Sequence, residues 1–166
     1  MRHGAAVSVV HLIDGTYELF RLMKDKGIAL CPTLAAGAAI AGYNGWKKGT
    51  EEPARLKAKR RSFGDALKAG VTICMGGDVG VFTHGDNARE MELMVDYGMQ
   101  PLQVLQSATS VNAAVFKLDE QVGSIKTGLL ADLIAVEGDP SKNISAVKQL
   151  TFIMKNGIVY KNEGRP

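Results

Sequence analysis

The sequence predicts an α/β fold in which parallel strands alternate with helices, followed by a small β unit. Three observations carry this reading. Short apolar runs rich in β-branched residues recur at 5–12, 28–34 and 71–75, separated by segments of helical length. The third run ends in Gly76-Gly77-Asp78, so a buried strand delivers a carboxylate to its C-terminal end. That is where chemistry sits in barrels of alternating strands and helices. Past residue 118 the pattern changes to turn signals and short strands, among them the hairpin dipeptide Asn156-Gly157.

The elements follow in order. Residues 5–12 read as a buried strand broken by Asp14-Gly15-Thr16, with Thr16 as the cap of the next helix. Leu19, Phe20, Leu22 and Met23 give that helix an apolar face, and Gly27 stops it. Residues 28–34 form a second strand with Pro32 near its end, where a missing donor is tolerated. The Gly- and Ala-rich stretch 35–50, with Tyr43, Asn44 and Trp46, reads as a long loop or lid on the functional face.

Residues 52–69 read as a charged amphipathic helix with Pro53 in its first turn and Gly70 at its end. Right-handed crossovers make the three strands parallel and adjacent. The strands at Val7 and Val71 are expected to leave open edges. Helices follow at 87–97, 101–107 and 111–118, the first with Asp86 and Asn87 as candidate caps. Strands are expected at 131–136, 150–154 and 158–161.

With 166 residues the chain can build an ordinary core, and 46% apolar with 22% charged residues is the balance of a globular protein. A net charge of +3 gives no argument for a nucleic-acid partner. The basic run Lys57-Ala58-Lys59-Arg60-Arg61 has acidic neighbours and reads first as a solvated helix face, with a phosphate patch as the alternative. Cys31 and Cys74 lie in apolar runs and read as buried free thiols. No apolar run reaches the length of a membrane span, and no leader is visible, so the expected location is cytoplasmic. The glycosylation pattern Asn143-Ile144-Ser145 matters only in a secreted protein.

Asp78 is the first candidate for chemistry. A carboxylate at a strand end can bind a metal or take a proton from metal-bound water, and it can equally cap the following turn. His11, at the end of the first strand, is either a metal ligand or a satisfied core histidine. His84 lies in the loop past Asp78. Better caps stand beside it, which favours a contact with substrate. Glu90, Glu92 and Asp96 follow helical spacing and read as a solvated face. The chain has no nucleophile elbow and no phosphate loop, and neither cysteine has a charged sequence neighbour to activate it.

Five segments together resemble the C-terminal part of the metal-dependent amidohydrolases, in their imidazolonepropionase-like and Xaa-Pro dipeptidase-like branch. They are Ala69-Gly70-Val71-Thr72-Ile73-Cys74-Met75-Gly76-Gly77-Asp78, then Phe82-Thr83-His84-Gly85-Asp86-Asn87-Ala88-Arg89-Glu90, then Ala108-Thr109-Ser110-Val111-Asn112-Ala113-Ala114. The run Gly123-Ser124-Ile125-Lys126-Thr127-Gly128-Leu129-Leu130-Ala131-Asp132-Leu133 and the closing Phe152-Ile153-Met154-Lys155-Asn156-Gly157 complete the set. Val10-His11 with Arg21-Leu22-Met23-Lys24-Asp25-Lys26-Gly27 resembles the sixth strand and helix, although Leu12 stands where the family usually has glycine.

The resemblance implies the C-terminal portion of a TIM-like (β/α)8 barrel over residues 1–118, strands six to eight. Residues 119–166 would then be part of an accessory β-sandwich. It implies hydrolysis of an amide, peptide or cyclic-amide C–N bond in a small molecule or dipeptide. Zinc would activate the water, Asp78 would act as proton shuttle and metal ligand, His11 as metal ligand, and His84 would contact substrate. The family's paired histidines of strand one, bridging lysine of strand four and histidine of strand five have no counterpart here. One His and one Asp fall short of the three protein ligands usual in catalytic zinc sites. Three readings follow: an amidohydrolase fragment, an enzyme completed by self-association or a complementing chain, and a non-catalytic scaffold that keeps the fold.

Overall fold

The computed structural model describes residues 9–10 and 14–164. His11 and the expected strand positions 5–8 lie outside the described residues. The chain is a mixed α/β protein. Strand β1 (Val9–Val10) pairs in parallel with β2 (Ala29–Leu30), Val9 opposite Ala29 and Val10 opposite Leu30. Between them runs helix α1 (Tyr17–Asp25). The Thr16 hydroxyl accepts the Leu19 N–H at 3.3 Å as the expected cap, and Gly27 ends the turn at a φ of 66°.

Residues 71–75 extend the parallel array. The Leu30 N–H donates to the Thr72 carbonyl at 2.8 Å, and the Cys74 N–H donates to the Leu30 carbonyl at 3.0 Å. Helix α3 (Ala54–Ala69) crosses back between these strands and ends at Gly70, whose φ of 69° is left-handed. The strand–helix–strand order expected for residues 9–75 is therefore present.

The edge expected to be open on the strand at 71–75 is covered at Ile73 and Met75. Helix α5 (Pro101–Gln106) passes through a π turn at Ser107–Val111 into α6 (Asn112–Val115). The wide turn brings both Ser107 and Asn112 onto the strand. The Ser107 hydroxyl donates to the Ile73 carbonyl. The Asn112 amide clamps Met75 at both ends, accepting its N–H at 3.0 Å and donating to its carbonyl at 2.9 Å. A side-chain amide here takes the place of a neighbouring strand.

The stretch expected to be a loop is largely helix α2 (Leu34–Tyr43). It is apolar all round, so it has no amphipathic stripe to reveal it, and residues 34–39 are all buried. The helix expected at 87–97 is α4 (Ala88–Asp96), and the chain turns away at Gly98, at a φ of 108°. Its expected side-chain cap is not made: Asn87 is itself helical in backbone and bonds no first-turn N–H through its side chain.

The core gathers Phe20 and Met23 from α1, Phe63 and Ala66 from α3, and Met94 from α4 around Leu30 and Ile73. Tyr97 meets Phe63 edge-on, with centroids 6.3 Å apart, and the Arg60 guanidinium stacks 4.0 Å from the Tyr97 centroid.

The C-terminal strands β3 (Leu133–Val136), β4 (Leu150–Lys155) and β5 (Ile158–Asn162) form an antiparallel sheet in sequence order. Asn156 and Gly157 turn the hairpin with φ of 48° and 76°, the paired positive values of a tight turn that follows strand twist. No residue of these three strands is buried. The link to the rest is Ile144, which joins the main core, and Ser145 and Lys148, which both bond Glu92 on α4.

Candidate active site

The C-terminal ends of the parallel strands lie side by side. The Cys31 N–H donates to the Val10 carbonyl at 3.0 Å, and the Thr33 N–H donates to the Gly76 carbonyl at 3.2 Å. The chain past the third strand thus leaves beside the start of α2. Two glycines sit there in close approach, Gly76 the tighter. A Cβ on Gly76 would stand 2.5 Å from the Cys31 sulfur, and one on Gly77 would stand 3.2 Å from the Phe82 ring and 3.3 Å from Glu90 Cβ. Asp78 follows with a φ of 54°, a left-handed conformation that Asp adopts more readily than most residues with a side chain, and it is exposed.

Beneath this end lies a buried polar cluster that the sequence reading placed in solvent. Glu90 is 0% exposed and Lys59 is 5% exposed. Both stood on faces expected to be solvated, and both are corrected by the same fact: α2, unrecognised in the sequence, packs across α3 and α4. The Glu90 carboxylate accepts the backbone N–H groups of Leu34 at 3.0 Å and Ala35 at 2.6 Å. It caps α2 from another helix and meets the positive end of its dipole. Lys59 Nζ reaches the Thr33 hydroxyl at 3.4 Å. Thr33 is itself left-handed, at a φ of 47°.

Burial pushes the Glu90 carboxyl up to about 7, against the pull of the Ala35 and Leu34 N–H groups and of Lys59. Burial lowers the Lys59 ammonium, while Glu90 and Asp78 hold it up. Cys31 and Cys74 are free thiols. Cys74 is buried as expected and Cys31 is half-buried. The neighbouring Cys74 and burial push the Cys31 thiol upward, so it is no thiolate nucleophile.

His84 is exposed, and its side chain makes no hydrogen bond or ion pair among the described residues. Among the described residues no three His, Cys, Asp or Glu side chains converge as a metal-holding group. Asp78 alone therefore does not make a metal centre, and the described residues do not by themselves fit a zinc ion. No helix of the described residues is long and apolar enough to cross a membrane.

Residues 2–161 match the amidohydrolase family, and the chain belongs to it. The chain is 32% identical to ochratoxinase of Aspergillus niger over 95% of its own length and 34% of that protein. The crystal structure of a Xaa-Pro dipeptidase with methionine bound in its active site superposes with a TM-score of 0.81 at 32% identity. That match covers 93% of this chain and 40% of the dipeptidase. The structure of A. niger ochratoxinase gives a TM-score of 0.78 at 27% identity, covering 96% of this chain and 38% of that one. The chain thus spans between a third and two fifths of the length of these relatives.

Proposed function

We propose that this chain forms the last three strand–helix units of an amidohydrolase barrel and part of its accessory sandwich. In the completed assembly it serves hydrolysis of an amide, peptide or cyclic-amide C–N bond. The observation that carries this reading is Asp78, held left-handed and exposed at the joined ends of the parallel strands. In this role Asp78 moves the proton of the attacking water, His84 meets the substrate from the following loop, and His11 and Asp78 contribute to a divalent metal site. Zinc, when bound in such a site, supplies a water acidic enough to attack at neutral pH.

The remaining ligands come from a complementing chain or from association of copies. Uncovered apolar surface supports this: Leu22 on α1 is 53% exposed, and Ile134, Ile158 and Tyr160 on the sheet are 61%, 60% and 69% exposed. The absence of a converging ligand group among the described residues favours a second reading, a scaffold that keeps the fold without the chemistry.

Elemental analysis combined with mass measurement in solution tests the two. The hydrolase reading expects an oligomer or hetero-complex that retains zinc, loses it in Asp78→Ala, and cleaves a panel of N-acyl amino acids and X-Pro dipeptides. A zinc-free complex that cleaves none of them would establish the scaffold instead.

A further inference from the structure

Cys31 and Cys74 are the chain's two cysteines, and they stand side by side on neighbouring parallel strands. Leu30 bridges Ile73 in parallel register, fixed by the bonds from the Leu30 N–H to Thr72 and from the Cys74 N–H to Leu30. The next residue on each strand is a cysteine, so Cys31 lies opposite Cys74. Side chains alternate between the faces of a strand. Leu30 and Ile73 enter the main core together, and the two cysteines therefore share the other face.

The two thiols interact with one another. Each also reaches a strand carbonyl: Cys31 Sγ donates to Gly76 at 3.6 Å, and Cys74 Sγ donates to Leu30 at 3.4 Å. Cys74 is 0% exposed and Cys31 is half-buried, so a small solute meets Cys31 first. Neighbouring strands run about 4.8 Å apart, inside the window of about 4.4–6.8 Å between Cα atoms that a disulfide spans. The Cβ atoms of a relaxed disulfide stand closer, about 3.8 Å apart. The strands must close slightly to carry the bond, which makes it one that a thiol reductant opens readily.

We infer that Cys31 and Cys74 form a modification site, a reversible disulfide made across the two strands by a small peroxide. Cys31 is the entry sulfur. It takes a hydroxyl from the peroxide as the O–O bond breaks, and a first water leaves with the Cys31 proton. Cys74 then attacks the Cys31 sulfur, the S–O bond breaks, and a second water leaves with the Cys74 proton. The two sulfurs lose two electrons in all, and the peroxide gains them. The first step is slow, because the contact with Cys74 and burial hold the Cys31 thiol protonated. The second is favoured, because the contact with Cys31 lowers the Cys74 thiol. The crosslink ties β2 to the third strand four residues before Asp78, beside the bond from Thr33 to Gly76. The oxidation state of the pair thus sets how tightly the end that presents Asp78 is held.

Hydrogen peroxide in excess over the full, folded chain tests this, with thiols counted and peptides mapped. Both thiols are expected to disappear together into a linked Cys31–Cys74 peptide within one chain. Dithiothreitol is expected to restore both without unfolding. In Cys74→Ala the reaction is expected to stop at a Cys31 sulfenic acid that dimedone traps, whereas dimedone labels little of the wild type. The wild-type peptide map decides alone if that variant does not fold. Thiols that survive in the folded chain, or cysteines linked only between chains, would overturn the proposal. So would a linked peptide that forms only after unfolding in urea, equal dimedone labelling of the two proteins, or overoxidised Cys31 beside an intact Cys74 thiol.

Discussion

Glu90, on α4, accepts a 2.6 Å hydrogen bond from the backbone N–H of Ala35 in the first turn of α2. A carboxylate 55 residues away in sequence thus stands where a local cap would. Its second oxygen takes the Leu34 N–H, and Lys59 supplies the nearby positive charge. This one side chain fastens α2 against α4 beside the strand end that presents Asp78.

Removing the carboxylate should therefore cost far more than a surface mutation. Glu90→Ala leaves two helix N–H groups without their acceptor and removes a negative charge that helps hold the buried Lys59 ammonium charged. The expected loss is about 3 kcal/mol, the range for breaking a buried charged network. Glu90→Gln keeps one good acceptor oxygen but turns an amide N–H₂ toward a donor, and should lose about 1–2 kcal/mol. Urea unfolding of the three proteins checks the order. Equal stability of wild type and Glu90→Ala would show that the two hydrogen bonds are not formed.

The same residue sets a pH dependence. In the unfolded chain Glu90 has the ordinary value of 4.5, and in the folded protein burial raises it to about 7. Between those values the folded state holds the extra proton, so its contribution to stability is complete below 4.5 and is lost as pH rises through about 7. The slope is about 1.4 kcal/mol per pH unit for one proton. Lys59 acts in the opposite sense at alkaline pH: its folded value is lowered, so stability rises with pH as the value of 10.5 is approached. Unfolding free energies measured from about pH 5 to pH 7 should fall in wild type relative to Glu90→Gln, which lacks the titrating group. Parallel curves would assign the effect elsewhere.

Gly76 has a different constraint. An added Cβ would meet the Cys31 sulfur at 2.5 Å, inside any tolerated contact. Gly76→Ala is expected to destabilise by about 1–3 kcal/mol through overpacking. Cys31→Ala removes the sulfur, so the double variant should recover most of that loss. A double-mutant cycle with no coupling between the two positions would contradict the packing seen here.

Local signals in the sequence held at most caps and turns, though not at Asn87, whose expected cap is not made. Thr16, Gly27, Gly70 and Asn156-Gly157 act as the cap, stops and hairpin their chemistry prescribes, because each answers to its immediate neighbours. The parallel pairing of residues 9–10, 29–30 and 71–75 was legible from the alternation of apolar runs with helical segments. Helix α2 was not, because it is apolar on every side and its cap comes from Glu90 rather than from Thr33. Misplacing α2 put Glu90 and Lys59 in solvent, since an amphipathic face is read against the partner assumed for it. The edge on the strand at 71–75 was misjudged for a related reason: a side-chain amide such as Asn112 can stand in for a strand, and no periodicity announces it. At the candidate site the Gly-Gly-Asp end of the strand is legible in the local sequence, whereas its supporting cluster depends on long-range contacts.

Asp78 offers a test of whether that strand end is built for function at the expense of stability. Its φ of 54° is left-handed, a region where a Cβ meets the following carbonyl. Asp78→Ala and Asp78→Gly both remove the carboxylate and whatever its side chain contributes, so their difference isolates the backbone. Glycine should be the more stable of the two by about 1 kcal/mol, the ordinary penalty for a Cβ in this conformation. Thermal and urea unfolding of the pair decide it. Glycine no more stable than alanine would mean that the strand end relaxes out of the left-handed region once the side chain is gone. The carboxylate, rather than the Gly76-Gly77 path and its bond from Thr33, would then be what fixes the conformation.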